Sequence, residues 1–128
     1  MACFWNSIID RLNKDEYFKK INNNIKLIPE HLILSLKENN RKTNNIIWQN
    51  NELTNKQKEE NLENIKLYNV KDIYNGYYCS TFDPFLFLIC DLFDISITNY
   101  YNNNKIEYNN KFKSRYTMIL YNNKGHMW

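Results

Sequence analysis

Apolar positions recur at helical spacing through the first half of the chain and change to alternation near its end. Phe4, Ile8 and Leu12 repeat every four residues, and Trp5 and Ile9 widen the stripe. This spacing predicts a helix over residues 3–13 with Cys3 at its N-terminus. Residues 14–28 show mixed character, with Asn22–Asn24 as a turn. Pro29 can open a second helix from its first turn, with Leu32, Ile33 and Leu36 on its apolar face and Asn39-Asn40 at its end. Residues 44–51 read as loop, with Ile46, Ile47 and Trp48 as an anchor or short extended piece. Thr54 and Gln57 form a capping box that predicts a polar surface helix over residues 55–67.

Asp83-Pro84 is a stronger start signal, because Asp accepts from free amides and Pro has none to orphan. The following run from Phe85 to Phe93 is apolar nearly all round, which predicts a buried helix. The period then changes. Ile95, Ile97 and Tyr100-Tyr101 predict a strand, Asn102–Asn104 a turn, Lys105–Tyr108 a second strand and residues 115–121 a third. Residues 122–125 turn the chain into His126-Met127-Trp128. Helices first and an antiparallel sheet afterwards define an α+β fold, with one domain over residues 1–128.

Composition supports this picture. Hydrophobic residues make up 43% and aromatics 16%, enough to bury a core in one domain of 128 residues. The abundance of Asn, with only two Gly and two Pro, points to an AT-biased genome such as that of a large DNA virus or an AT-rich protist. The net charge of +3 permits a polyanion partner but, without any block of five or six basic residues, does not argue for one, so a nucleic-acid partner is not the leading expectation. Three cysteines make no disulfide framework and no C-x-x-C pair, and His31 and His126 lack metal-ligand spacing. No metal or cofactor is expected. No basic region followed by an apolar stretch opens the chain, and the apolar run Pro84–Cys90 falls far short of the roughly 20 residues that span a bilayer. The expectation is a soluble protein of a reducing, cytoplasmic compartment.

A thiol attacks acyl carbon as the thiolate, which a helix N-terminus and a neighbouring imidazole both favour. Cys3 early on a helix and His126 late beside a strand is the order found in papain-like cysteine hydrolases. Each residue also has a plain reading: Cys3 as an incidental terminal residue, His126 as a strand cap. Cys79 is a rival thiol in the Gly76–Thr81 loop, Cys90 reads as a small core hydrophobe, and His31 reads as structural or solvent-exposed.

Three blocks carry a resemblance. Cys3-Phe-Trp-Asn-Ser-Ile8 is similar to the cysteine box of the ovarian-tumour (OTU) family of cysteine proteases. Gly76 to Thr98, with an aromatic loop opening a core helix that leads into Ile95-Ser96-Ile97, resembles the family's middle block. Tyr116–Tyr121 followed by Gly125-His126-Met127-Trp128 resembles its histidine box. Together the blocks cover about 50 residues; residues 14–72 match nothing nameable. The resemblance implies a small viral-type deubiquitinase with a papain-like fold, working in the host cytoplasm on ubiquitin or a ubiquitin-like protein. Cys3 would attack the modifier's C-terminal carbonyl, and His126 would take and return the proton. Ahead of Cys3 stand only Met1 and Ala2 where the family has an Asp-Gly loop, and Trp128 stands where Asn or Asp is common, so no third triad residue is assigned. Asp83, Asp91 and Asp94 are candidates for an acidic lip facing ubiquitin's basic tail; Asp91 and Asp94 read equally well as solvent-facing. Two alternatives remain open: an inactive OTU-like binding module, and a nucleic-acid-binding accessory protein using its tyrosine-rich strands.

Overall fold

The computed structural model describes residues 3–21, 27–71, 79–123, 126 and 127; at residues 3, 79–81, 122, 123, 126 and 127 it describes the backbone alone. The expected turn at Asn22–Asn24, the Tyr77-Tyr78 loop and Trp128 lie outside these residues.

The chain runs through helices α1 (Cys3–Leu12), α2 (Glu16–Ile21) and α3 (Pro29–Glu38), a hairpin of β1 (Ile46–Trp48) and β2 (Asn51–Glu52), and helices α4 (Asn55–Leu67) and α5 (Cys79–Phe93). Strands β3 (Ser96–Tyr101), β4 (Asn104–Asn110), β5 (Thr117–Asn123) and β6 (His126–Met127) follow. Helix α4 begins where its capping box predicts. Thr54 Oγ1 accepts from the Gln57 amide, and Gln57 Oε1 accepts from the Thr54 amide.

Helix α5 is the centre of the core, since Phe85 to Cys90 are all buried. Phe4 stacks on Phe82 with centroids 4.4 Å apart, and Trp5 meets Phe85 edge-on at 5.0 Å. Tyr68 approaches Phe85 at 5.1 Å, just past the end of α4. From the sheet, Ile97, Tyr108, Met118 and Leu120 are buried in the same core. The helix starts earlier than Asp83-Pro84 predicts, and Pro84 lies inside it. One more turn at the N-terminal end places Phe82 against Phe4, Trp5 and Tyr68. That burial offsets the backbone hydrogen bond that proline cannot make.

The sheet has six strands in the order β2-β1-β4-β3-β5-β6 and is mixed rather than antiparallel. Strands β3 and β4 form a hairpin, but β5 runs parallel to β3, with Ile97 beside Met118 and Asn99 beside Leu120. The reason is the occupied edge of β4, where Ile46–Trp48 already pair with Tyr108–Asn110. The chain leaving β4 therefore crosses beneath the start of β3 and joins its other edge. Arg115 holds this crossing. Its amide donates to Asp94 O at 2.8 Å, and its guanidinium donates to Phe93 O at 2.6 and 2.9 Å, at the negative end of the α5 dipole.

Three asparagines and one glutamine do the work of glycine at the two hairpin turns. The two-residue loops Gln49-Asn50 and Asn102-Asn103 have φ of 50°, 68°, 48° and 68°, the left-handed pair required by a type I′ hairpin turn. Asp94, at φ 54°, ends α5 in the same conformation, so that the Ile95 amide donates back to Cys90 O at 3.2 Å.

Candidate functional site

Helix α1 is fixed at both ends. Near its N-terminus Phe4 and Trp5 are buried against Phe82 and Phe85. In its last turn the Arg11 guanidinium donates to Ile119 O of β5 at 2.7 Å and to Ser7 O and Ser7 Oγ at 3.0 and 2.6 Å. The helix also packs against β6. Cys3 is the first residue of α1, and His126, in β6, pairs with Asn123 of β5. The elements bearing the two expected catalytic residues are therefore neighbours; the side chains of Cys3 and His126 lie outside the described atoms.

Cys79 changes position relative to the sequence expectation. It is the first residue of α5 rather than part of a loop, so it too occupies a helix N-terminus. The ring stack of Phe4 on Phe82 brings the two helix starts together, because the rings follow Cys3 by one residue and Cys79 by three. Proline statistics concealed this, since Asp83-Pro84 reads as the start.

Cys90 is fully buried, and its Sγ lies 3.7 Å from Tyr108 O. Burial, with the neighbouring Asp91 charge, pushes its thiol well above the ordinary range, so it is an inert core residue. His31 is exposed on α3.

The three aspartates do not form one lip. Asp83 lies toward the N-terminal end of α5 and accepts from the Tyr108 hydroxyl at 2.5 Å. Asp94 ends the same helix roughly 16 Å away, given about 1.5 Å per residue. Asp91 is buried rather than solvent-facing, with Arg41 Nε 2.6 Å from its carboxylate. Among the described residues no cluster of three or more His, Cys, Asp or Glu could hold a metal, and no helix is long and apolar enough to cross a membrane.

Sequence reasoning missed one polar centre. Asp15, 4% exposed, precedes α2 and accepts from the Tyr17 amide at 2.8 Å, from Arg115 at 2.9 and 3.1 Å and from the Tyr116 hydroxyl at 2.6 Å. Burial pushes its pKa up, but the bonds from Arg115, Tyr116 and the Tyr17 amide outweigh it and hold the carboxyl below its ordinary value. The Arg115 guanidinium lies 4.8 Å from the Tyr17 ring centroid and 5.4 Å from that of Tyr116. No periodicity marks such a group; it exists only where the chain's crossing meets the α1–α2 junction.

Comparison with protein-family models, with curated proteins and with solved structures finds no match to this chain.

Proposed function

We propose that this chain is an OTU-like cysteine isopeptidase that releases ubiquitin or a ubiquitin-like modifier from its conjugates. The observation that carries the reading is the packing of α1, headed by Cys3, against β6, which bears His126. Cys3 is the nucleophile, favoured as thiolate by the dipole of α1. His126 accepts the thiol proton, Cys3 Sγ bonds to the modifier's terminal carbonyl carbon, and collapse of the tetrahedral adduct expels the lysine amine, which takes the proton from His126. Water then hydrolyses the thioester and regenerates the thiol. Helix-start amides are suited to stabilising the oxyanion of both steps.

The test is labelling by ubiquitin with a thiol-reactive C-terminal group, across the unmodified chain and its Cys3→Ala, Cys79→Ala and His126→Ala variants. A ubiquitin-sized adduct lost with Cys3→Ala and slowed by His126→Ala supports the reading. An adduct lost only with Cys79→Ala moves the nucleophile to α5. No adduct on folded protein rejects isopeptidase chemistry on ubiquitin.

A second reading, single-stranded nucleic-acid binding, is favoured by one observation. Tyr100 and Tyr121 stack with centroids 5.2 Å apart on neighbouring strands, and Tyr121 is half exposed. It predicts salt-sensitive binding that Tyr121→Ala weakens and Cys3→Ala leaves intact.

A further inference from the structure

Strand β5 has one edge against β3 and one that β6 covers only at Asn122 and Asn123. Backbone alternation fixes which groups point outward. Tyr116 O accepts from Ser96 N of β3, so Met118 and Leu120 face β3 while Thr117 and Ile119 face away. Arg11 reaching Ile119 O from the far side agrees with this parity. The Thr117 amide and carbonyl and the Ile119 amide therefore form an open edge, with no hydrogen-bond partner among the described residues. Beside it runs a groove of about 550 Å3, lined on the helix side by Asp10, Arg11 and Lys14 and on the strand side by residues 116–119.

The groove carries two cations, Arg11 and Lys14, against one carboxylate, Asp10. The half-buried Arg11 guanidinium donates only to neutral oxygens, Ile119 O, Ser7 O and Ser7 Oγ, and neither Arg11 nor Lys14 has a carboxylate partner among the described residues. An open strand edge beside two cations that form no ion pair among the described residues, with Asp10 as the groove's one carboxylate, suits an added strand carrying acidic side chains.

We propose that the groove between α1 and the β5 edge binds an extended acidic peptide. Its backbone pairs with Thr117 and Ile119, and a Glu or Asp side chain meets Arg11 and Lys14. Arg11 occupies Ile119 O, so the added strand ends there instead of continuing beside β6. The site stands apart from the Cys3 chemistry and does not depend on it.

The test uses the full chain and three capped five-residue peptides of alternating Val with Glu, Gln or Lys, followed by amide chemical shifts. The Glu peptide is expected to bind with Kd below 1 mM, shifting and protecting the Thr117 and Ile119 amides, with the Gln peptide at least tenfold weaker and the Lys peptide silent. Thr117→Pro removes an outward amide with no hydrogen-bond partner among the described residues, at the first residue of β5, a strand position where proline is tolerated. It should weaken the Glu peptide at least fivefold, and Lys14→Ala at least threefold, with both variants folded. Equal binding of the Glu and Gln peptides, unchanged binding by Thr117→Pro, or no binding at 1 mM overturns the proposal. So does inorganic phosphate shifting Arg11 while the peptide does not, since that marks an anion site without strand pairing.

Discussion

Replacing Arg115 by Met would strand a buried carboxylate. The change removes the donors 2.9 and 3.1 Å from Asp15 and those 2.6 and 2.9 Å from Phe93 O, together with the guanidinium's contacts to the Tyr17 and Tyr116 rings, while keeping an aliphatic side chain. Removing one member of a buried ion pair costs about 3–5 kcal/mol. Two features argue for the lower end. Asp15 keeps the Tyr17 amide and the Tyr116 hydroxyl, and the Arg115 side chain is 29% exposed, so water can replace part of it. The expected loss is about 3 kcal/mol. At a urea slope of about 2 kcal/mol per M for a domain of this size, the unfolding midpoint should fall by roughly 1.5 M. Asp15→Asn should cost about 2 kcal/mol, and the double variant less than the sum, because its second change removes no remaining pair.

The dependence on pH sharpens the test. The folded pKa of Asp15 lies below its unfolded value, so its contribution is present above about pH 4 and is lost as pH falls through the folded pKa. In Arg115→Met the carboxyl loses its main lowering partner. The gap between the two proteins should therefore be widest near neutrality and narrow in acid. A loss below about 1 kcal/mol at pH 7, or additive single variants, would place the pair with ordinary surface ion pairs and refute the reasoning.

Tyr116 makes the opposite prediction in alkali: burial and donation to Asp15 raise its pKa, so its contribution persists below about pH 10 and is lost as pH rises through the folded pKa. Melts of Tyr116→Phe should accordingly show a flatter alkaline limb than those of the unmodified chain. Thr54→Ala removes the side-chain half of the α4 capping box and should cost about 1 kcal/mol in urea unfolding, with Gln57→Ala costing less. Cys90 should resist iodoacetamide in the native protein and react only on unfolding, which mass spectrometry of labelled peptides would show.

Features set by neighbours in sequence were legible, and features set by the meeting of distant segments were not. Helices α1, α3 and α4 follow from local spacing and capping, and the β3–β4 hairpin from its alternation and Asn turn. The parallel β3–β5 pairing was hidden because it depends on the Ile46–Trp48 strand occupying the other edge of β4. A three-residue strand leaves almost no periodic trace. Helix α2 is six residues long and escaped for the same reason. At the candidate site, Cys3 and His126 were legible by residue type and order, whereas the helical setting of Cys79 was masked by Asp83-Pro84.

That setting turns the choice of nucleophile into a question about proton acceptors. Cys3 and Cys79 both begin helices, and the Phe4–Phe82 stack keeps those helix starts together, so dipole stabilisation is a term common to both thiols. A helix start therefore does not distinguish them. What differs is the neighbouring strand: α1 packs against β6, which bears His126. A thiol paired with an imidazole should show a rate of alkylation that depends on His126, whereas a thiol activated by its helix alone should not. Alkylation rates of Cys3 and Cys79 in His126→Ala, measured separately across pH, therefore separate the two cysteines without assuming any substrate.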